Sequence, residues 1–246
     1  MEKTTSEGKK MKQDRRFAFL YNPVFRVITT WVWFLVGGAL VVLIILAVYG
    51  FDLAKALEAL RENRYLAVYI EIVSVGLLPL VYTLICKDHP TQYGFSRKGL
   101  AKSVLLSGLC VTGLFGFAFL SRGQLMSGIE PPNFNLNFPW NLWYVALGVF
   151  AWGPLEVFFV MWLVTNTDRI FKSENKTMSW GLIVTVVIFG MAHILTTSIY
   201  NAFYTATIFL VLGLIYKYTK NSIGPMIAWT LINGQIWFIV QILYLN

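Results

Sequence analysis

Three polar side chains lie inside long apolar runs, where such side chains are rare: Glu156, His193 and Asn233. An ionisable group at membrane depth costs from about 2.5 kcal/mol on insertion scales to ~10 kcal/mol or more on an isolated helix. It normally persists because it lines a cavity, pairs with a partner or takes part in chemistry. A carboxylate, an imidazole and an amide could together activate water for amide cleavage. The carboxylate would be the general base, the imidazole would orient the water, and the amide would donate to the developing oxyanion.

Each of these side chains also has a purely structural interpretation. A lone Glu or His in a membrane helix can bond to a backbone carbonyl of a neighbouring helix, and Asn commonly joins helices by hydrogen bonds. At 1.5 Å per residue, the three groups lie roughly 18, 25 and 20 Å from the nearest cytoplasmic charges predicted on their own helices. This shared depth, around the middle of a bilayer, favours one polar site over three separate structural contacts.

The elements that must position these groups are membrane-spanning helices. Hydrophobic residues make up 57% of the 246-residue chain and charged residues 13%, against roughly 25% charged in soluble domains. We therefore predict an all-α fold, a polytopic transmembrane helix bundle of about seven spans, with residues 1–26 as a basic cytoplasmic tail and 27–246 as one transmembrane domain. The predicted spans are Val27–Tyr49, Leu66–Cys86, Leu100–Leu120, Pro139–Thr165, Ser179–Ser198, Ala202–Tyr216 and Ile223–Leu245.

The charge distribution predicts the orientation of the chain. Sixteen of its 20 Lys and Arg residues fall on the side of the N-terminus when the spans alternate, and four fall on the other side. The positive-inside rule then places the N-terminus in the cytoplasm. The net charge of +8 is thus explained by topology, and we expect no nucleic-acid partner. We expect an integral, multi-pass protein of a prokaryotic plasma membrane, with membrane lipids and a peptide, lipidated protein or membrane protein as its partners.

The connecting segments yield further expectations. The loop Asp52–Arg64 has the spacing of a short amphipathic helix at the outer surface, and Ser121–Phe138 is expected to be a loop or a partly re-entrant cover. Glu71 follows the predicted outer boundary closely, so we interpret it as an interfacial polar residue, and His89 as a surface residue of a cytoplasmic turn. We expect no metal or other cofactor, because Glu156 and His193 supply only two of the three or four ligands that zinc needs.

The order of these motifs resembles the CAAX-protease and bacteriocin-processing group of intramembrane endopeptidases, which includes the type II CAAX prenyl endopeptidases. The first motif resembles Glu156-Val-Phe-Phe-Val-Met161, the second is Phe189-Gly-Met-Ala-His193, and the third resembles Trp229-Thr-Leu-Ile-Asn233. The lead-in Ser222-Ile-Gly-Pro225 and the turn Tyr93-Gly-Phe-Ser-Arg97 are also similar to the family's pattern. The resemblance covers roughly Leu66 to Asn246.

This resemblance implies a bundle of seven or eight helices and residue roles that carry over position by position. Glu156 and His193 would be the base and the water-holding group, and Asn233 would stabilise the oxyanion. Phe159, Phe189 and Trp229 are predicted to line the substrate cavity beside them.

The sequence departs from the family at three positions. Val157 stands where the family has a second Glu, Met161 where it has Arg, and Trp229 where it has His. The indole N–H of Trp229 is a donor that would replace the oxyanion-binding imidazole in part. Two hypotheses remain open. One is an intramembrane endopeptidase that cuts a peptide or prenylated protein end. The other is a catalytically inactive relative that acts as a membrane binding, scaffold or regulatory protein.

Overall fold

The computed structural model describes residues 15–62, 65–123, 139–196 and 198–233. These residues form helices and turns, and we find no strand among them. The α-helices are α1 Pro23–Val48, α2 Leu53–Glu62, α3 Tyr65–Glu71, α4 Leu77–Ile85, α5 Leu100–Arg122, α6 Trp140–Phe150, α7 Glu156–Phe171, α8 Trp180–Thr196, α9 Ile199–Thr219 and α10 Ile223–Ile232. A π-helical turn, Ile72–Gly76, joins α3 to α4, and a second π-helical turn, Ala151–Leu155, joins α6 to α7.

Among the described residues, five helices are long and apolar enough to cross a membrane, and two shorter apolar helices accompany them. The long helices are Pro23–Val48, Leu66–Ile85, Leu100–Ser121, Asn141–Phe171 and Ile199–Thr219, and the shorter ones are Trp180–Ile194 and Ile223–Ile232. The predicted polytopic helical bundle is confirmed, and the chain is an integral membrane protein. The predicted span Ala202–Tyr216 was too short, since α9 extends beyond it at both ends, and Pro139–Thr165 likewise stopped before the end of α7.

Other expectations were met to different degrees along the chain. The amphipathic helix predicted in the outer loop is α2. The first span begins at Pro23, four positions before the predicted boundary at Val27, because the Asn22 side chain caps the first turn by accepting hydrogen bonds from its backbone N–H groups. Most of the predicted loop 121–138, the N-terminal residues 1–14 and the C-terminal half of the seventh span lie outside the described residues.

The core lies around α7, the helix that begins with Glu156. Residues 155–164 of this segment are almost entirely shielded from solvent. By contrast, α1 exposes large aliphatic side chains such as Leu35 and Ile44, as expected for a helix that faces lipid. The arrangement puts α7 in the centre, packed against α1 and α8, with α10 against α5 and the second π-turn.

Two buried ion pairs connect different helices and turns at the end of the bundle that we predict to be cytoplasmic. Arg26 of α1 binds Asp88 at 2.8 Å, and Tyr93 donates a hydrogen bond to the same carboxylate at 2.5 Å. Burial, together with the hydrogen bond to Asp88, raises the pKa of the Tyr93 hydroxyl, which therefore remains a donor at neutral pH. The contact ties α1 to the turn that follows α4.

The second pair joins three helices. Asp168 of α7 forms an ion pair with Lys217 of α9. The same carboxylate accepts hydrogen bonds from the Ser173 and Ser179 hydroxyls and from the Gly181 backbone N–H. Asp168 is 1% exposed, so its charge is stabilised by these donors in place of water. The cluster sets the position of α7, α8 and α9 relative to one another.

The turn before α5 also packs against the start of α10. Gly94 has a left-handed backbone conformation, φ +84°, and a Cβ added there would lie 2.6 Å from the backbone nitrogen of Ser222. The Ser222 N–H donates to the Gly94 carbonyl at 3.1 Å. Glycine is required here because both the backbone angle and the close approach exclude a side chain. The two sequence segments that resembled family motifs are therefore in direct contact.

Candidate active site

Glu156 lies where the central helix resumes after the second π-turn. Pro154 lies inside this turn. Proline lacks the N–H that an α-helix requires, and its ring clashes with the carbonyl four residues earlier, so the helix cannot continue in regular form. Such π-turns are frequent at functional sites. Here the turn leaves backbone carbonyls available for side chains of a neighbouring helix.

That neighbouring helix is α10, which with its C-cap residue Asn233 contacts the π-turn at two positions and the start of α7 at a third. Asn233 donates from its side-chain nitrogen to the carbonyl of Trp152 at 3.1 Å. A Cβ added to Gly153 would collide with the Thr230 hydroxyl, so the glycine permits the close approach of the two segments. One turn further into the bundle, the Trp229 indole N–H donates to Glu156 Oε2 at 2.6 Å.

The hydrogen bond from Trp229 changes the role predicted for this residue. The indole N–H was expected to replace an oxyanion donor in part, but it binds the carboxyl group of Glu156 instead. The Glu156 side chain is 5% exposed and Trp229 is 3% exposed, so the bond forms in a low-dielectric environment. A buried carboxyl group without such a donor would be strongly destabilising. Trp229 therefore holds Glu156 in a defined orientation.

His193 lies on α8 and is half-buried. Its Nδ1 atom is 2.9 Å from the carbonyl of Phe189, one turn earlier. The imidazole also contacts the Phe189 ring, with centroids 4.9 Å apart. An Nδ1–H that donates to this carbonyl would leave Nε2 as the acceptor nitrogen, and an acceptor is what a water-orienting group needs.

Aromatic rings connect His193 to Glu156 through the core. Phe189 packs against Phe209 at 5.0 Å between centroids, and Phe209 packs against Trp229 at 4.7 Å. Phe159 contacts Phe189 at 5.9 Å. The three residues predicted to line a cavity, Phe159, Phe189 and Trp229, are thus members of one buried aromatic cluster around the candidate site, and they are at most 3% exposed.

Glu156 begins α7, His193 lies on α8 and Asn233 is the C-cap of α10, and both α8 and α10 pack against α7. Glu156 and Asn233 both contact the segment where the second π-turn joins α7, and His193 reaches the same region through the ring cluster. Val157 and Met161 are 0% exposed and provide apolar packing where the family's pattern has a carboxyl group and a guanidinium. The distance that would make Glu156 and His193 a hydrogen-bonded or water-bridged pair stays a prediction.

Sequence reasoning did not include Glu71 among the site residues. Its Oε1 atom is shielded from solvent and has no hydrogen-bond partner. Glu71 ends α3, which packs against the second π-turn immediately before Glu156, and its predicted interfacial position stays a prediction. The signal was available, since an ionisable residue in an apolar run is as unusual at position 71 as at position 156. His89, by contrast, is exposed as predicted.

In the part of the chain that the structure describes, no three His, Cys, Asp or Glu side chains come together as metal ligands. The site as described consists of carboxyl, imidazole, amide and indole groups. These groups can accept a proton from water, orient the water and donate hydrogen bonds to an oxygen that gains negative charge.

Comparison with known proteins gives one match. Residues 137–235 match the family model of type II CAAX prenyl endopeptidase Rce1-like proteins. The matched segment contains Glu156, His193 and Asn233, together with helices α6 to α10. No curated protein and no solved structure is similar enough to match.

Proposed function

We propose that the chain is an intramembrane endopeptidase whose general base is Glu156, because residues 137–235 match the family model of type II CAAX prenyl endopeptidase Rce1-like proteins. The observation that supports this proposal best is the burial and hydrogen bonding of the Glu156 carboxyl group. The carboxyl group lies in the apolar centre of the bundle, next to a π-turn, and an indole donor orients it. A buried carboxyl group held by few donors is suited to accept a proton at neutral pH.

In the proposed reaction, Glu156 removes a proton from a water molecule as the water oxygen attacks the carbonyl carbon of the scissile amide. His193 accepts a hydrogen bond from the second hydrogen of that water, which orients the water's lone pair toward the substrate. The proton on Glu156 then passes to the nitrogen of the departing amine as the tetrahedral intermediate collapses. The carbon–nitrogen bond breaks, a carboxylic acid and an amine are released, and the acid then loses its proton to solvent water.

Asn233 would donate to the oxyanion of this intermediate. Its amide nitrogen carries two hydrogens, and one of them serves the Trp152 carbonyl. That bond fixes the amide on the π-turn that also positions Glu156. Base and oxyanion donor are therefore positioned by the same segment. Removal of a single oxyanion donor typically costs about 10²–10³ in rate, and Asn233→Ala should fall in this range.

The proposed substrate is a peptide or prenylated protein end that enters the bundle from the cytoplasmic side. The support for this class is the family match, the membrane location and the aromatic residues around the site. Tests require the purified full-length chain in lipid vesicles and a panel of quenched fluorescent peptides, with and without a C-terminal prenyl cysteine. Glu156→Ala serves as the control. Cleavage by the wild type that the variant lacks would support the proposal, and no cleavage of any peptide would count against it.

A specific observation supports a second candidate function. The Trp229 indole N–H is hydrogen-bonded to the Glu156 carboxyl group, and Val157 and Met161 contribute only apolar surface. These features suit a catalytically inactive family member that binds a membrane protein or lipidated peptide among its helices. In that case the vesicles would retain prenylated peptide without cutting it, and Trp229→His would weaken retention.

A further inference from the structure

The second membrane helix contributes a carboxyl group that the predicted site does not include. Glu71 is the last residue of α3, immediately before the first π-turn. Its Oε1 atom is inaccessible to solvent and accepts no hydrogen bond. An unsatisfied buried polar atom costs free energy, so its retention calls for a physical explanation. The helix geometry around it provides one.

The neighbours of Glu71 along the helix show which way it faces. Val68 and Val75, three residues before and four residues after Glu71, are 0% and 1% exposed. Residues with these spacings share one face of a helix. Val68 lies beside Gly148 and the Trp152 ring, within 3.9 Å of where a Cβ on Gly148 would be. The Glu71 face is therefore the one that packs against α6 and the second π-turn.

A contact one turn below fixes the level of Glu71 relative to Glu156. A Cβ on Gly76 would lie 2.6 Å from the Leu155 side chain, and Leu155 immediately precedes Glu156. The two π-turns thus pack against each other, with Val68 and Gly76 marking the ends of the contact. Glu71 lies between them, on the part of the helix that packs against the turn immediately before Glu156. Along the helix axis, Glu71 is about 25 Å from Asp88, which is close to the depth predicted for His193.

We propose that Glu71 and Glu156 act as a carboxyl pair that holds one proton, which Glu71 carries while the Trp229 hydrogen bond stabilises the ionised form of Glu156. Two like charges this close in an apolar environment are not both ionised. Glu71 has no donor comparable to the Trp229 indole, so the proton resides there. This inference rests on the proposed function, and it makes Glu71 a positioning residue that acts through Glu156.

The pair also offers a replacement for the carboxyl group that the family's pattern has at position 157, where this chain has Val157. This chain has no carboxyl group beside Glu156 on α7, and Glu71 supplies one from α3 across the helix contact. During the reaction Glu156 takes a proton from water and passes it to the departing amine, while the proton on Glu71 stays in place. The neutral Glu71 keeps the region free of a second negative charge, which leaves Glu156 as the only base.

Infrared spectroscopy of the full-length protein in lipid vesicles at neutral pH tests the proton directly. The wild type should show the C=O stretch of a protonated carboxyl group, because Glu71 holds the proton. The other described buried carboxyl groups, those of Asp88 and Asp168, each form an ion pair with a cationic side chain. The stretch should disappear in Glu71→Gln and persist, shifted in frequency, in Glu156→Gln. Glu58→Gln, which alters an exposed carboxyl group of α2, should leave it unchanged.

A stretch that is absent from the wild type, or that survives Glu71→Gln unchanged, would overturn the inference. Thermal unfolding distinguishes a structural role, in which Glu71→Gln would lower the melting temperature because a needed contact is lost. The proposed pair predicts an unchanged or higher melting temperature, because the substitution removes a carboxyl group whose buried Oε1 atom accepts no hydrogen bond.

These readouts separate the two proposals. If the wild type cuts no peptide but the infrared band follows Glu71, the endopeptidase proposal fails and the carboxyl pair stands. If peptides are cut and Glu71→Gln leaves the infrared band unchanged, the carboxyl pair fails and the endopeptidase proposal stands.

Discussion

The hydrogen bond between Trp229 and Glu156 can be measured by a double-mutant cycle. Trp229→Phe removes the indole N–H but keeps an aromatic ring in contact with Phe209. The 2.6 Å bond joins two almost fully buried groups, and a hydrogen bond to an ionised group contributes about 1.5–3 kcal/mol. The smaller ring also leaves a void worth about 1 kcal/mol. The expected loss in the free energy of unfolding is therefore about 3 kcal/mol.

Thermal unfolding of purified protein in detergent gives the assay. For a chain of this size, a loss of about 3 kcal/mol corresponds to about 6–12 °C in melting temperature. In a Glu156→Ala background the same Trp229→Phe substitution should cost only the packing contribution, about 1 kcal/mol or less. The difference between the two backgrounds isolates the bond. Equal shifts in both backgrounds would refute the claim that Trp229 stabilises Glu156.

The remaining predictions concern the buried ion pair of Asp168, the membrane topology, and the three positions at which the chain departs from the family's motifs. Asp168→Asn should destabilise the fold by about 3–5 kcal/mol, because Lys217 is left buried without its counter-charge; a melting temperature equal to that of the wild type would contradict this. Cysteine labelling in intact cells should find the N-terminus in the cytoplasm and Asn246 on the opposite side, and labelling of both termini from one side would exclude seven spans. Trp229→His should raise turnover, more strongly with Val157→Glu and Met161→Arg, and the gain should vanish with Glu156→Ala; a restored triple variant that folds and cuts nothing would favour the binding function.

Much of the architecture was predictable because membrane depth imposes a simple rule on the sequence. Apolar runs of about 20 residues must form helices in lipid, so α1, α5 and α9 could be located from composition alone. The same rule identified Glu156, since a carboxyl group in such a run needs a reason to be there. Helix ends were less predictable: α9 continues beyond its apolar run because Tyr216, Lys217 and Thr219 pack against neighbouring helices.

The contacts at the site depended on packing that no single helix encodes. The sequence shows Pro154 but does not show that the π-turn after it would expose the Trp152 carbonyl to Asn233. The Trp229 N–H could serve an oxyanion or a carboxylate, and only the position of α10 decides between them. For Glu71, the sequence shows its separation from Tyr65 but not the helix face that it shares with Val68.

The measurement that tests the central claim most directly is the rate of peptide cleavage by wild-type protein and by Glu156→Gln in the same vesicles. Glu156→Gln keeps the side-chain shape and an acceptor for the Trp229 indole, but it cannot take a proton from water. The account predicts product from the wild type and from the exposed-site control Glu58→Gln, with turnover reduced by at least about 10² in Glu156→Gln. Equal turnover in wild type and Glu156→Gln would contradict the assignment of Glu156 as the base.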